Sequence, residues 1–127
     1  PIEKEDIREH NMHSEYFSIS SNTLSKLQSF KKSRRPIICL GTTSVRVLET
    51  LAQNNFENNS GWTNLFIYPP YNFSMVQGLF TNFHLPKSTL LIMVSAFYGR
   101  KKLLEAYCAA VEEKYRFFSY GDCMLIL

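Results

Sequence analysis

The 127-residue sequence lacks the patterns that would place the protein in a membrane, in the secretory pathway or on a metal ion. No apolar run approaches the length of a membrane-spanning helix, and no signal peptide is visible. The three cysteines, Cys39, Cys108 and Cys123, are odd in number and follow no zinc-ligand spacing. We therefore expect reduced, structural thiols, with Cys39 and Cys123 buried in apolar runs, no metal, no membrane partner and a cytoplasmic location.

The signatures of common nucleotide sites and of serine hydrolases are also missing. The turn at 41–44 is followed by no Walker lysine and contains no second glycine, so neither a P-loop nor a dinucleotide fingerprint is present. No nucleophilic serine elbow occurs. The net charge of +3 is a mild excess, which alone does not predict nucleic-acid binding.

Hydrophobic residues make up 45% of the sequence, which is enough for a sizeable core in a chain of one-domain length. Alternation and apolar runs predict strands at 14–19, 36–40, 65–68, 76–80 and 120–127. Apolar stripes predict helices from the caps at 20–22 to the basic cluster at 31–35, and at 45–53, 88–97 and 100–115, with a surface loop at 54–64. This alternation predicts an α/β fold, a layered sheet with flanking helices, in a single domain at 1–127.

Two of the helices carry specific expectations about burial. The helix at 88–97 is apolar almost all round, so we expect it to be buried. The helix at 100–115 is amphipathic, and its side chains expected to face the core are Leu103, Leu104, Tyr107 and Val111.

Polar side chains crowd the run Thr81–Ser88, directly before the apolar helix. It supplies an amide at Asn82, an imidazole at His84 and an ammonium at Lys87. Dense polar groups on a loop are typical of a functional site, and histidine is the usual general base near neutral pH. The structural alternative is that Thr81 and Asn82 end a strand, His84 is exposed and idle, and Ser88 caps the helix.

A turn with three hydroxyl groups, Thr42, Thr43 and Ser44, links a predicted strand to a predicted helix. Free backbone N–H groups at a helix start attract anions such as a phosphate or a carboxylate. Arg46 adds a forked donor in the first turn. The alternative is ordinary hydroxyl capping, which explains one hydroxyl better than it explains three.

Further polar groups lie at the ends of other elements, where α/β sheets bind their ligands. His10, His13 and Glu15 precede or begin the first strand, and Arg116, Tyr120 and Asp122 lie before the last one. We expect several of these turns to line one crevice. Asp122 can also be a plain turn residue, and the aromatic run Tyr115, Phe117, Phe118 and Tyr120 can pack a core instead of stacking on a purine.

A basic cluster, Lys31, Lys32, Arg34 and Arg35, ends the first predicted helix. Cations at a helix C-terminus favour the helix dipole, so a solvated helix end is one interpretation. Contact with RNA phosphates is the other.

Taken together and in order, the motifs are specific. They are Met12-His13-Ser14-Glu15-Tyr16, Gly41-Thr42-Thr43-Ser44-Val45-Arg46, Gly61-Trp62-Thr63 with Phe66-Ile67-Tyr68-Pro69, the run Thr81–Ser88, and Tyr115 to Asp122. The sequence closely resembles the C-terminal part of the S-adenosylmethionine:tRNA ribosyltransferase-isomerases of queuosine biosynthesis, from Pro1 to Leu127. Small departures from that family's pattern occur at Asn11, Pro70, Tyr98 and Cys123.

The resemblance implies a reaction on tRNA. Family members transfer and isomerise the ribosyl group of S-adenosylmethionine onto 7-aminomethyl-7-deazaguanine at the tRNA wobble position, giving epoxyqueuosine and releasing adenine and methionine. It also implies an incomplete fold, since the family's N-terminal portion and inserted β-barrel domain are not in this sequence. We expect a C-terminal fragment of the catalytic domain, inactive alone, from an enzyme that is monomeric at full length.

The same resemblance implies roles for the polar groups. His84 is the first candidate for the base that removes a C5′ proton, and His13 the second, while Asp122 is a candidate acid or hydrogen-bond partner for adenine. The implied substrate-binding residues are Thr42, Thr43, Ser44 and Arg46 for the methionine carboxylate, Phe117 or Tyr120 for base stacking, Lys87 and Arg116 for phosphate, and Asn82.

Two other functions are weighed against this one. A truncated chain can be a non-catalytic RNA-binding or interaction module. A methyltransferase-like binder of S-adenosylmethionine is disfavoured by the missing glycine-rich loop.

Overall fold

The computed structural model describes residues 7–127, which form two small sheets and four helices around a mixed α/β core. The strands are β1 (Glu15–Ser18), β2 (Ile38–Leu40), β3 (Ser60–Thr63), β4 (Gly78–Asn82) and β5 (Cys123–Ile126). The helices are α1 (Ser21–Lys32), α2 (Thr42–Gln53), α3 (Thr89–Tyr98) and α4 (Arg100–Glu112), and a short 3-10 turn covers Ile7–Glu9. The predicted α/β layering, a sheet with flanking helices, is confirmed.

Capping residues fix the starts of two helices where the sequence predicts them. The Ser20 hydroxyl accepts from the Thr23 backbone N–H at 3.1 Å, and the Ser88 hydroxyl accepts from that of Leu91 at the same distance. Each bond satisfies a backbone donor that the first helical turn leaves unpaired. Gly99, with a φ of 85°, separates α3 from α4 in a conformation that favours glycine.

The three-stranded sheet has the order β2-β4-β5. Strand β4 runs parallel to β2 and antiparallel to β5, with Asn82 paired to Cys123. Therefore β2 and β4 end, and β5 begins, at the same side of the sheet. We call this side the carboxyl edge; it carries the turns that follow Leu40 and Asn82 and the one that precedes Cys123.

One face of this sheet is buried and the other is open. Cys39, Leu79 and Ile126 point into the core that the helices cover. On the opposite face Leu40, Phe80 and Leu125 form one row across the three strands and are 77%, 40% and 50% exposed. An α/β sheet normally has both faces covered, so this open face agrees with an incomplete fold.

A second sheet pairs β1 with β3 in antiparallel register and lies against α2. Tyr16 and Trp62 are directly opposite each other, with ring centroids 5.5 Å apart. On the inner side, the hydroxyls of Thr50 and Thr63 lie 2.7 Å apart in a buried pair. Helix α2 therefore connects the two sheets.

Two strand predictions were wrong because of pairing partners that local sequence does not reveal. The polar segment 54–64 contains β3, since Ser60–Thr63 pairs with β1 along its whole length. The apolar segment 65–68 is not a strand; its Leu65 carbonyl accepts from the Arg46 guanidinium at 3.0 Å. The remaining strands, including β4 at Gly78–Asn82 instead of 76–80, are shifted or shorter than predicted.

Burial was also predicted wrongly at several positions. Only Met93 and Val94 of α3 are fully buried. On α4 the buried stripe is Leu103, Tyr107 and Ala110, whereas Leu104 and Val111, expected inside, are 42% and 62% exposed because they lie beside that stripe.

The cysteines are free, but only one is buried. Cys39 lies in the core, and burial, followed by the nearby Glu49 charge, raises its pKa to about 12. Cys123, expected to be buried, is exposed because it begins β5 on the open face, and Cys108 is exposed on α4.

Candidate functional site at the carboxyl edge

Three of the predicted polar clusters meet at the carboxyl edge. The Gly41 N–H donates to the Phe80 carbonyl at 2.9 Å, which joins the hydroxyl turn to β4. The Asn82 amide donates to the Asp122 carbonyl at 3.3 Å, which joins β4 to the turn before β5. Thus the 41–44 and 81–88 segments follow adjacent strands, and the 116–122 segment precedes the next one, at the same edge of the sheet.

His84 is the half-buried centre of this edge. Its Nε2 atom lies 2.8 Å from the Thr81 hydroxyl, and its backbone N–H donates to the Tyr107 hydroxyl at 2.9 Å. Burial lowers the pKa of the imidazole below its usual 6.5. The imidazole is therefore neutral at pH 7 and can accept a proton.

A hollow of about 260 Å³ opens beside His84. Its lining consists of residues from β4, the following loop, α3 and the 116–122 segment: Asn82, Phe83, His84, Leu85, Ser88, Leu90, Phe118 and Ser119. Thr43 and Asp122 are not among the lining residues, so they share the sheet edge with His84 but not this hollow. A second, mainly apolar hollow of about 520 Å³ lies on the far side of Ser88, between α3, Lys87 and Arg100.

Arg116 and Asp122 close the 116–122 segment into a loop. The Arg116 N–H donates to Asp122 Oδ2 at 2.7 Å, the Asp122 N–H donates to the Arg116 carbonyl at 2.8 Å, and the two side chains form an ion pair at 3.2 Å. Hydrogen bonding from the Arg116 side chain, then from its backbone, holds the pKa of Asp122 below its usual 3.8. At Gly121 a Cβ would lie 2.4 Å from the Arg116 carbonyl oxygen, so the closed loop requires glycine there.

The closed loop separates its aromatic side chains into two groups. Phe117 points inward, with its ring centroid 5.1 Å from that of Phe83 and 5.8 Å from that of Tyr107. Tyr120 is 98% exposed and Phe118 is 55% exposed. Of the two aromatics predicted to stack on a base, only Tyr120 presents its ring to solvent.

The hydroxyl residues 42–44 form the first turn of α2, which therefore begins at Thr42 instead of Val45. The Ser44 hydroxyl donates to the Leu40 carbonyl at 2.9 Å, and Thr43 is exposed. Gly41 precedes the helix with a φ of 83° and supplies no side-chain cap. No capping hydroxyl therefore accepts from the first-turn N–H groups of α2. An anion site at this turn stays a prediction.

Arg46 lies inside the protein, away from the carboxyl edge. Its side chain is 5% exposed, and its guanidinium donates to the Glu15 carboxylate at 2.8 Å and to the backbone carbonyls of His13, Thr63 and Leu65. The side chain of His13 is exposed at the start of β1. The structure therefore places Arg46 and His13 together beside the second sheet and does not bring them to the His84 hollow.

A buried carboxylate, Glu49, was missed by sequence reasoning. Its two oxygens accept from the backbone N–H groups of Ser74, Met75 and Val76 and from the hydroxyls of Tyr71 and Ser74, at 2.9–3.3 Å. Burial, with the Glu49 charge second, raises the pKa of Tyr71 to about 12. The available signal was the spacing of Arg46, Glu49 and Thr50, which places them on one side of α2. A polar stripe opposite an apolar one is usually solvated, so this spacing did not predict a buried carboxylate.

Within residues 7–127 no cluster of three metal-ligating side chains is found, and none of the helices there is both long and apolar enough to cross a bilayer.

Comparison with known proteins identifies the relatives of this chain. The family model described as "Queuosine biosynthesis protein" matches residues 1–126. A protein of Clostridium kluyveri named S-adenosylmethionine:tRNA ribosyltransferase-isomerase is 52% identical over 99% of this chain and 38% of its own length. One of the same name from Sulfurihydrogenibium sp. is 54% identical over the whole chain and 37% of its own length.

A solved structure agrees with these matches. The crystal structure of S-adenosylmethionine tRNA ribosyltransferase from Thermotoga maritima superposes with a TM-score of 0.80 and 46% sequence identity, covering 88% of this chain and 40% of that one. The chain thus spans a little over a third of the length of the relatives that it matches.

Proposed function

The chain belongs to the queuosine biosynthesis protein family, and from this premise we propose that it is the C-terminal part of the catalytic domain of a tRNA ribosyltransferase-isomerase. The reaction that we propose transfers and isomerises the ribosyl group of S-adenosylmethionine to 7-aminomethyl-7-deazaguanine in the tRNA wobble position. Epoxyqueuosine forms, and adenine and methionine leave. The observation that carries this proposal is the hollow beside half-buried His84, which the 81–88 and 116–122 segments line, with the 41–44 turn at the same sheet edge.

His84 is the base in this proposal. The positive sulfur of S-adenosylmethionine acidifies the adjacent C5′–H bonds, and a neutral imidazole beside a small hollow can accept one of these protons. The depressed pKa keeps His84 in its proton-accepting form at neutral pH. Thr81 is a positioning residue, since its hydroxyl fixes the Nε2 atom of the ring.

Asp122 acts in this proposal as a hydrogen-bond acceptor and not as an acid. Its pKa is lowered by Arg116, so the carboxylate is ionised at neutral pH and has no proton to give to adenine. It holds closed the loop that presents Tyr120 to solvent. Tyr120 then has the exposed ring that base stacking requires.

The remaining predicted substrate contacts fall into two groups, those at the carboxyl edge and those beside the second sheet. Thr42, Thr43 and Ser44 offer their N–H groups for the methionine carboxylate, while Asn82, Lys87 and Arg116 surround the loops at the carboxyl edge where the wobble nucleotide would lie. Arg46 and His13 lie elsewhere, and we assign Arg46 to positioning β1 and β3 instead of binding the substrate.

Activity is expected only when the rest of the catalytic domain is present. The chain covers 38% of the Clostridium kluyveri relative, and one sheet face is open. A chimera that joins the N-terminal portion of that relative to this chain provides the missing part. The cytoplasm, where tRNA is modified and thiols stay reduced, is the compartment that this function requires.

The test is product release. The chain alone and the chimera are incubated with S-adenosylmethionine and tRNA carrying 7-aminomethyl-7-deazaguanine, and adenine and methionine are quantified by liquid chromatography. We expect both products, in equal amounts, from the chimera. A chimera that binds the tRNA but releases neither product identifies a non-catalytic RNA-binding module and contradicts the proposal.

A further inference from the structure

A hollow of about 310 Å³ lies at the C-terminal end of α1, at the opposite end of the sheet strands from the carboxyl edge. Three cations, Lys31, Arg34 and Arg35, form one wall of it, and Gln77 forms part of another. All four residues are exposed. We call this feature the basic hollow.

The cations of the basic hollow have no counter-charge among the described side chains. No described carboxylate lies within 4 Å of Lys31, Arg34 or Arg35. Two of these cations rest on aromatic rings, Lys31 over Phe56 at 5.4 Å and Arg35 over Phe30 at 5.7 Å. Two of the three charges therefore lie beside aromatic rings, and all three side chains are exposed to an anion from outside.

Arg34 lies in the turn that ends α1, and Lys114 occupies the matching position after α4. Arg34 has a φ of 52°, and the Arg35 N–H donates to the Phe30 carbonyl at 3.1 Å, which is the turn that ends helices with glycine at this position. An arginine there is disfavoured by about 1 kcal/mol relative to glycine. Compensation of the helix dipole needs a cation in the last turn, which Lys31 and Lys32 already supply.

Gln77 adds a neutral donor to the same hollow. Its Oε1 atom accepts from the Ile37 N–H at 2.8 Å, which fixes the amide and leaves its NH2 group without a partner among the described residues. Two guanidinium groups, one ammonium and one amide NH2, all of them hydrogen-bond donors, lie in the lining of this hollow. Oxygen atoms with negative charge, as in a phosphodiester backbone, are the complementary chemistry.

We propose that the basic hollow binds the RNA phosphate backbone and acts as an anchor separate from the reacting nucleotide; this rests on the proposed function for the identity of the RNA. Strand β2 lies between the basic hollow and the carboxyl edge and spans about 10 Å. RNA carries one phosphate per strand for about every 3 Å of helix axis, so phosphates held here belong to nucleotides several positions away from the wobble base. The anchor contributes to RNA affinity and not to the chemical step.

The test compares two charge-matched double variants of the chimera. Arg34→Gln/Arg35→Gln removes two charges from the basic hollow, and the control Lys101→Gln/Lys102→Gln removes two from the exposed side of α4. Binding of an unmodified tRNA transcript is measured by fluorescence anisotropy between 50 and 300 mM KCl. A second RNA with a scrambled anticodon loop shows whether the contact depends on sequence.

We expect the Arg34/Arg35 variant to bind both RNAs at least about tenfold more weakly and to lose about 1.5 from the slope of log affinity against log salt. Arg34→Lys/Arg35→Lys retains the charges and should recover most of the slope. In the product-release assay, KM for tRNA rises while kcat stays unchanged. Equal affinities and slopes for the Arg34/Arg35 variant and its control overturn the proposal and leave the cluster as a solvated helix end.

Failure of this proposal and failure of the proposed function are distinguishable. If the chimera releases adenine and methionine, but its RNA affinity does not change in the Arg34/Arg35 variant, the proposed function is supported and the anchor proposal is contradicted. If the chimera releases neither product, but its RNA affinity falls in the Arg34/Arg35 variant and not in the control, the anchor proposal is supported and the proposed function is contradicted.

Discussion

The hydroxyl of Thr81 lies 2.8 Å from Nε2 of His84, and this contact joins the end of β4 to the candidate base. Thr81 is buried and His84 is half-buried, so the imidazole is oriented by a side chain that solvent does not reach. A fixed ring beside an open hollow is the arrangement that proton abstraction requires.

His84→Ala in the chimera should lower kcat by about 100- to 10,000-fold, the usual contribution of a general base. Thr81→Val keeps the volume of Thr81 but removes the hydroxyl, and we expect a smaller fall of about tenfold from the misplaced ring. Thr81→Ser retains the hydroxyl and should restore most of the activity. Product release under saturating substrates measures all three. Full turnover by His84→Ala would show that another group is the base.

The depressed pKa of His84 predicts that acid destabilises the fold. In the unfolded chain the imidazole takes up a proton as pH falls through about 6.5, while in the folded chain burial delays this uptake. Above pH 7 the two states bind equally few protons at this site, so His84 makes no contribution to the pH dependence there. Stability should therefore fall as pH decreases from 7 to 5.

Urea unfolding at pH 7, 6 and 5 measures this effect, with His84→Gln as the comparison because glutamine does not titrate. We expect the wild-type midpoint to fall more steeply than that of the variant. Parallel curves for the two proteins would show that His84 is not desolvated in the folded state.

Asp122→Asn should open the 116–122 loop. The ion pair to Arg116 is lost, and an amide oxygen accepts from the Arg116 N–H more weakly than a carboxylate does. In the wild type the bonds from Arg116 favour the ionised form of Asp122 and so lower its pKa. The loop is therefore closed at pH values above the usual carboxyl pKa, and closure is lost as the pH falls through the lowered pKa. Faster amide exchange at Arg116 in the variant at pH 7, with no change in the control Glu112→Gln, is the expected result.

Sequence patterns predicted this fold well wherever an element is stabilised by its own residues. The caps at Ser20 and Ser88 and the apolar stripe through Leu103 and Tyr107 are local signals, and the helices begin or pack where those signals lie. Strand β3 has no such signal, because Ser60–Thr63 is polar and becomes a strand only through its partner β1. A short stretch of sequence does not reveal long-range pairing of this kind.

The candidate site was predictable in part for the same reason. Polar residues after Leu40 and Asn82 follow strands, so their shared edge follows from parallel pairing. Arg46 and Glu49 show the limit. Both have the sequence pattern of surface charges on a helix, but their acceptors and donors lie 17 to 33 positions away in sequence.

Glu49→Gln should be strongly destabilising. The carboxylate is fully buried and accepts from five donors, whereas the NH2 group of glutamine would face backbone N–H groups that also donate. Unpaired buried donors make a loss of about 3 kcal/mol in unfolding free energy the expected result. Urea unfolding of the chain measures it, and Glu112→Gln on the exposed side of α4 is the control. A loss below about 1 kcal/mol, close to the effect of a surface substitution, would contradict the burial of this carboxylate.

The open sheet face predicts self-association of the chain when it is produced without the remainder of the catalytic domain. Leu40 and Leu125 flank Phe80 in a continuous apolar row, and exposed contiguous apolar surface favours association. Leu40→Lys/Leu125→Lys should shift the chain toward monomer in sedimentation velocity, while Leu104→Lys/Val111→Lys, which changes exposed positions on α4, should not.

In the chimera the same face is expected to be covered by the N-terminal portion, so the effect of the lysines reverses. There Leu40→Lys/Leu125→Lys introduces two charges into a buried contact and should lower stability by several kcal/mol, since unpaired buried charges are costly. The Leu104→Lys/Val111→Lys control should remain close to the parent. If the lysines leave the chimera as stable as its parent, the face is open in the longer protein as well, and the exposed row must have a partner other than the N-terminal portion.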